Sequence, residues 1–76
     1  MKHDEFISAV KELGLSAKVE DEEINIAYDD YTIASVQMDI PHCMTQYAIE
    51  EGEDPDKLRD LFLLLAQYAD TPIAKR

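Results

Sequence analysis

The two histidines and the single cysteine are the first residues to test for chemistry: His3, His42 and Cys43. A Cys–His nucleophile needs its two groups brought together in space, with a third group orienting the base. His42 and Cys43 are consecutive, and consecutive side chains seldom point at each other, so Cys43 reads as an ordinary loop or partly buried thiol. Ser8, Ser16 and Ser35 lack the glycine-flanked elbow that exposes a nucleophilic serine. One cysteine and two histidines fall short of the four nitrogen or sulfur ligands of a closed zinc site. The acidic runs Glu20-Asp21-Glu22-Glu23 and Glu50-Glu51-Gly52-Glu53-Asp54 lack the alternating oxygen ligands and central glycine of an EF-hand loop. No catalytic residue, metal site or cofactor is therefore expected, and the chain reads as non-enzymatic.

Charge is the stronger signal. The 76 residues carry 17 acids against 7 lysines and arginines, a formal net charge of −10. Between Lys18 and Lys57 there is no lysine or arginine, and that stretch holds Glu20, Asp21, Glu22, Glu23, Asp29, Asp30, Asp39, Glu50, Glu51, Glu53, Asp54 and Asp56. Acids without interleaved counterions repel one another, and salt relieves the repulsion. Such a run serves solubility or a cationic partner. Direct nucleic-acid binding, which needs a basic face, is disfavoured. No apolar run approaches the roughly 20 residues of a membrane span. A lone cysteine allows no internal disulfide, which points to a reducing cytoplasm.

The elements that must position these acids follow from periodicity, and the length implies one domain over residues 1–76. Phe6, Ala9, Val10 and Leu13 recur at helical spacing, with Asp4 as N-cap or in the first turn and Gly14 as the left-handed stop. The period then changes to two. Ala17 and Val19, then Ile24, Ile26 and Tyr28, then Ala34, Val36, Met38 and Ile40 mark three strands separated by acidic turns. Residues 41–53 read mainly as loop, with a helical turn around Thr45–Glu50. Asp54-Pro55 is a strong helix start. Leu58, Leu61, Phe62, Leu65, Tyr68 and Ala69 form its apolar stripe, and Pro72 ends it near Asp70. Thr71 and Pro72 can cap one further turn through Arg76. The expected fold is α+β, a single α-β-β-β-α domain in which two helices cover a three-stranded antiparallel meander.

The run Ile33–Val36, the loop leading to Tyr47, the segment Asp56–Phe62 and the ending Gln67–Arg76 resemble a family of small, largely uncharacterised proteins of phages and prophages of Gram-positive bacteria. Its members end in a YA-x-TPI-x-x-R tail, matched here by Tyr68, Ala69, Thr71, Pro72, Ile73 and Arg76. They place an acid after the isoleucine where this chain has Ala74, which removes a capping box on Thr71. The resemblance implies a phage setting in a bacterial host and carries over no catalytic residue.

In a meander, the 20–23 and 29–30 turns lie at opposite poles, and the third strand returns Asp39 toward the first. Glu20–Glu23, Asp39 and the 50–56 acids are then expected at one end. The expected function is binding of a basic surface on a host protein, with the twelve acids as the contact. Its most concrete form is inhibition of a nucleic-acid-binding effector by imitation of a phosphate backbone, as anti-CRISPR and anti-restriction proteins do. The alternative is a structural or regulatory phage protein acting through an apolar interface, its acidity serving only solubility. Leu63, opposite the apolar stripe, and Leu64 at its edge would then form a patch for a homodimer.

Overall fold

The computed structural model describes residues 1–46 and 54–76. Helix α1 (His3–Glu12) leads into strands β1 (Ser16–Glu20), β2 (Glu23–Tyr28), β3 (Tyr31–Gln37) and β4 (Met44–Gln46), then helix α2 (Pro55–Asp70) and a 3-10 turn at Ile73–Lys75. The strands form one antiparallel sheet in sequence order, and the fold is an α+β meander with two helices. Met44–Gln46 form a fourth strand where a loop and the start of the Thr45–Glu50 helical turn were expected; the rest of that turn lies outside the described residues. Three residues are too few to show a period of two, and β4 is held by pairing instead, with Val36 opposite Met44 and the Gln37 N–H donating to the Cys43 carbonyl at 3.0 Å.

Local chemistry sets the helix ends. α1 begins with Asp4 and Glu5 in its first turn, and the Lys2 N–H donates to the Glu5 carboxylate at 3.3 Å. Gly14 takes φ +81°, a value open to glycine at little cost. Asp54 caps α2 by accepting the Asp56 N–H at 2.9 Å, with Pro55 in the first turn. The two-residue turn at 29–30 needs positive φ at both positions, and Asp29 (47°) and Asp30 (75°) supply it without a glycine.

The core joins one face of the sheet to both helices. Ile24 and Ile26 alternate inward, and a bulge opposite Ile26/Ala27 lets Ile33 and Ala34 both turn in. Phe6 and Val10 of α1 meet Leu61, Leu65, Tyr68 and Ala69 of α2. The Phe6 and Tyr68 rings stack with centroids 4.6 Å apart. Phe62, expected in this stripe, is half-exposed, and Leu64 packs on the core instead. A step of 100° per residue explains the exchange: the stripe is centred on Leu61, Leu65 and Tyr68, which puts Phe62 on its flank. Ile40, expected at the end of the third strand, lies beyond β3 and is half-exposed.

One cation closes the structure. The Arg76 guanidinium donates to the carbonyls of Thr71 (2.9 Å), Ala69 (2.9 Å), Gln37 (2.8 Å) and Met38 (2.8 Å), and it lies 4.7 Å from the Tyr68 ring centroid. Thr71 is buried; its hydroxyl donates to the Gln67 carbonyl and accepts from the Met1 amine, both at 2.7 Å. Of the tail residues singled out in the sequence, Tyr68, Ala69, Thr71 and Arg76 are thus structural, while Pro72 and Ile73 are exposed. Arg76→Ala would remove the guanidinium from the carbonyls of Thr71, Gln37 and Met38, with Ala69 keeping the His42 N–H, and should cost about 2–4 kcal/mol, read as a lower chemical-denaturation midpoint. Arg76→Lys should recover only part of the loss, because an ammonium cannot reproduce the planar fork. Full stability in either variant would contradict the clamp.

Candidate functional site: an acidic pole

The sheet's hydrogen-bond alternation decides where its acids go. Glu20 pairs with Glu23 across the two-residue loop Asp21-Glu22, and Glu23 in turn pairs with Gln37. Three side chains, Glu20, Glu23 and Gln37, therefore lie in one row on the face away from the helices. The Gln37 amide donates to Glu23 Oε2 at 3.0 Å. With Asp21 and Glu22 they line a shallow depression of about 300 Å³. Just past β3, the Met38 N–H donates to the Glu22 carbonyl at 2.9 Å, which delivers Asp39 to the same place.

Asp39 stands beside Glu22. Through a shared hydrogen bond, then through its charge, and with some added desolvation, the Asp39 carboxyl holds Glu22 above the usual glutamate range. Two acids in contact prefer to hold a proton between them. Neutralisation by bases is slight: Lys18 reaches Glu20 at 3.3 Å, with both side chains exposed, and such a pair contributes little. Asp21, Glu22, Glu23 and Asp39 have no ion pair among the described residues. The Arg76 charge is close by, yet four of its N–H groups are committed to carbonyls.

The remaining acids lie elsewhere. Asp29 and Asp30 occupy the opposite end of the β2–β3 hairpin. Asp54 and Asp56 belong to that far end as well: the next residue, Lys57, sets its Nζ 5.7 Å from the Tyr28 ring centroid, while the C-terminal end of α2 meets Gln37 and Met38 through Arg76. The expectation that Asp54 and Asp56 join Glu20–Glu23 is corrected by the direction of α2, which starts toward the Tyr28 end of the sheet and finishes by the end of β3. Asp54 also has a structural task as the α2 cap. The six residues of β2 separate the poles by about 17 Å, twice the Debye length of roughly 8 Å in physiological salt. Each pole therefore acts alone. Glu50, Glu51 and Glu53 lie outside the described residues.

Other candidates take ordinary places. His42, at φ 60°, sets Nδ1 2.7 Å from Asp70 Oδ1, while its N–H donates to the Ala69 carbonyl at 2.8 Å, a tie between the loop and the end of α2. His3 Nδ1 lies 3.3 Å from the Tyr68 hydroxyl. Cys43 is a half-buried free thiol. Among the described residues no three His, Cys, Asp or Glu side chains are placed to share a metal ion, and no helix is long and apolar enough to cross a membrane. On α2 the exposed apolar pair is Phe62 and Leu63, since Leu64 turns inward. Comparison with protein-family models, curated proteins and solved structures finds no match.

The raised Glu22 carboxyl carries a signed prediction. In the window between its unfolded value and its higher folded value, the native state binds more protons, so stability rises as pH falls through that window. Thermal midpoints measured from neutral pH down into the ordinary glutamate range should rise more for the natural chain than for Asp39→Asn. That variant should be the more stable of the two at pH 7. Superimposable curves would show that the two carboxyls do not interact.

Proposed function

We propose that this chain is a non-enzymatic, phage-type protein of the bacterial cytoplasm that binds a basic surface of a host protein through the pole made by Glu20, Asp21, Glu22, Glu23 and Asp39. The observation that carries this reading is the contact of Glu22 with Asp39 in a group of acids that no strong ion pair offsets. Crowding of this kind costs folding stability and is relieved by a cationic ligand. Arginine answers carboxylates and phosphates with the same bidentate geometry, so the pole suits a partner whose surface is built to hold nucleic acid. The specific form of the proposal is a nucleic-acid-mimicking inhibitor of the anti-CRISPR or anti-restriction kind. At one charge per roughly 1.7 Å of duplex, five acids imitate only about 8 Å of axis. The mimicry is then a local plug against a few arginines.

A second reading rests on Phe62 and Leu63, adjacent on α2 and about half-exposed at 49% and 57%. They offer an apolar contact for a partner or a second copy, with acidity serving solubility.

One experiment separates the two. The natural chain, the variant with Glu20, Glu22 and Glu23 changed to Gln and Asp21 to Asn, and Leu63→Glu are each used to capture proteins from a bacterial host lysate at low and at high salt. The acidic-pole reading expects capture that high salt abolishes, that the neutralised variant loses and that Leu63→Glu keeps. Capture indifferent to salt and to neutralisation, but lost in Leu63→Glu, would transfer the function to α2.

A further inference from the structure

Beside the acidic pole runs an open sheet edge. Among the described residues, β1 pairs only with β2. In a hairpin with a two-residue loop the closing residues exchange both backbone hydrogen bonds, and the pattern then alternates. Glu20 and Glu23 close this hairpin, so Ser16, Lys18 and Glu20 turn their backbone groups toward β2, and Ala17 and Val19 turn theirs outward. The far side of the sheet follows the same alternation, where the Gln37 N–H points to β4 and reaches the Cys43 carbonyl. Among the described residues, no turn, loop or side chain hydrogen-bonds the N–H or C=O of Ala17 or Val19. The Val19 side chain is 48% exposed although it lies on the core side of the sheet, opposite Ile24.

We propose that the β1 edge takes an extended, basic segment of the partner protein as a fifth, antiparallel strand. This rests on the acidic-pole reading and gives that reading its binding mode. Four outward backbone groups on two residues provide the main-chain contact. Alternation fixes the side chains of the incoming strand. A residue opposite Val19 falls on the core side and should be apolar, to cover that valine. A residue opposite Glu20 falls on the outer face, beside the Glu20–Glu23 row, and should be arginine or lysine. The residue opposite Lys18 should be neutral. A second copy of this chain is a poor occupant, because each carries a net charge of −10 and pairing centred on Lys18 sets two lysines face to face.

The probe is the peptide Arg-Val-Arg-Val-Thr-Val-Thr, with Arg-Val-Arg-Pro-Thr-Val-Thr as a control of equal charge that cannot form the strand. NMR amide exchange should show the Ala17 and Val19 amides slowed by the first peptide and not by the second. Val19→Pro removes the outward donor without breaking a bond to β2, so the fold should persist, and the first peptide should bind it about tenfold more weakly. Equal binding of both peptides, or of Val19→Pro and the natural chain, overturns strand addition while leaving the acidic pole in place. Failure of the pole itself would be seen separately, as lysate capture indifferent to charge neutralisation. Absence of peptide binding overturns the inference, as does protection of the same amides by a concentration-dependent dimer without peptide.

Discussion

The Arg76 guanidinium ties the end of α2, Thr71 and the end of β3 together, beside the tie that His42 makes to Ala69 and Asp70. It reaches the Ala69 carbonyl near the end of α2, the carbonyl of Thr71 and the carbonyls of Gln37 and Met38 at the end of β3. A cation at a helix C-terminus is favoured by the helix dipole, and the planar fork satisfies several acceptors at once. Beneath it, Tyr68 gives its ring to the cation and to Phe6. Burial pushes the Tyr68 phenol up and the Arg76 charge opposes that shift, so the hydroxyl stays protonated at neutral pH.

The position of the acids follows from this clamp. Gln37 and Met38 are tied to Arg76 by their carbonyls, and Met38 to Glu22 by its N–H. Asp39, the next residue, is thereby set against the 20–23 turn. The same hydrogen bonds commit the guanidinium to neutral acceptors. The molecule's best-placed positive charge is thus spent on architecture, and the carboxylates beside it remain crowded and available to an external cation.

Much of this was legible in the sequence because the signals were local. Asp54-Pro55, Gly14 and the switch from helical to alternating period fix the ends of both helices and the existence of three strands. The meander itself brings Asp39 to the first turn. Longer-range facts were not legible. β4 is too short to carry a pattern and exists through pairing with β3. The separation of Asp54 and Asp56 from Glu20–Glu23 depends on the direction in which α2 crosses the sheet, which periodicity does not encode. Phe62 shows the limit of stripe counting, since one step of 100° decides between core and solvent. The role of Arg76 was foreshadowed only by the tail motif, of which Tyr68, Ala69 and Thr71 meet Arg76 in the structure.

The central claim is that acids are held together at one pole at a cost in stability. The direct measurement is the thermal midpoint of the natural chain in sodium chloride from about 0.01 M to about 0.15 M, over which the Debye length contracts from roughly 30 Å to roughly 8 Å. The account predicts a clear rise, and a smaller one when Glu20, Asp21, Glu22 and Glu23 are neutralised together. A midpoint that stays flat or falls with salt, or an equal rise in the neutralised chain, would contradict it.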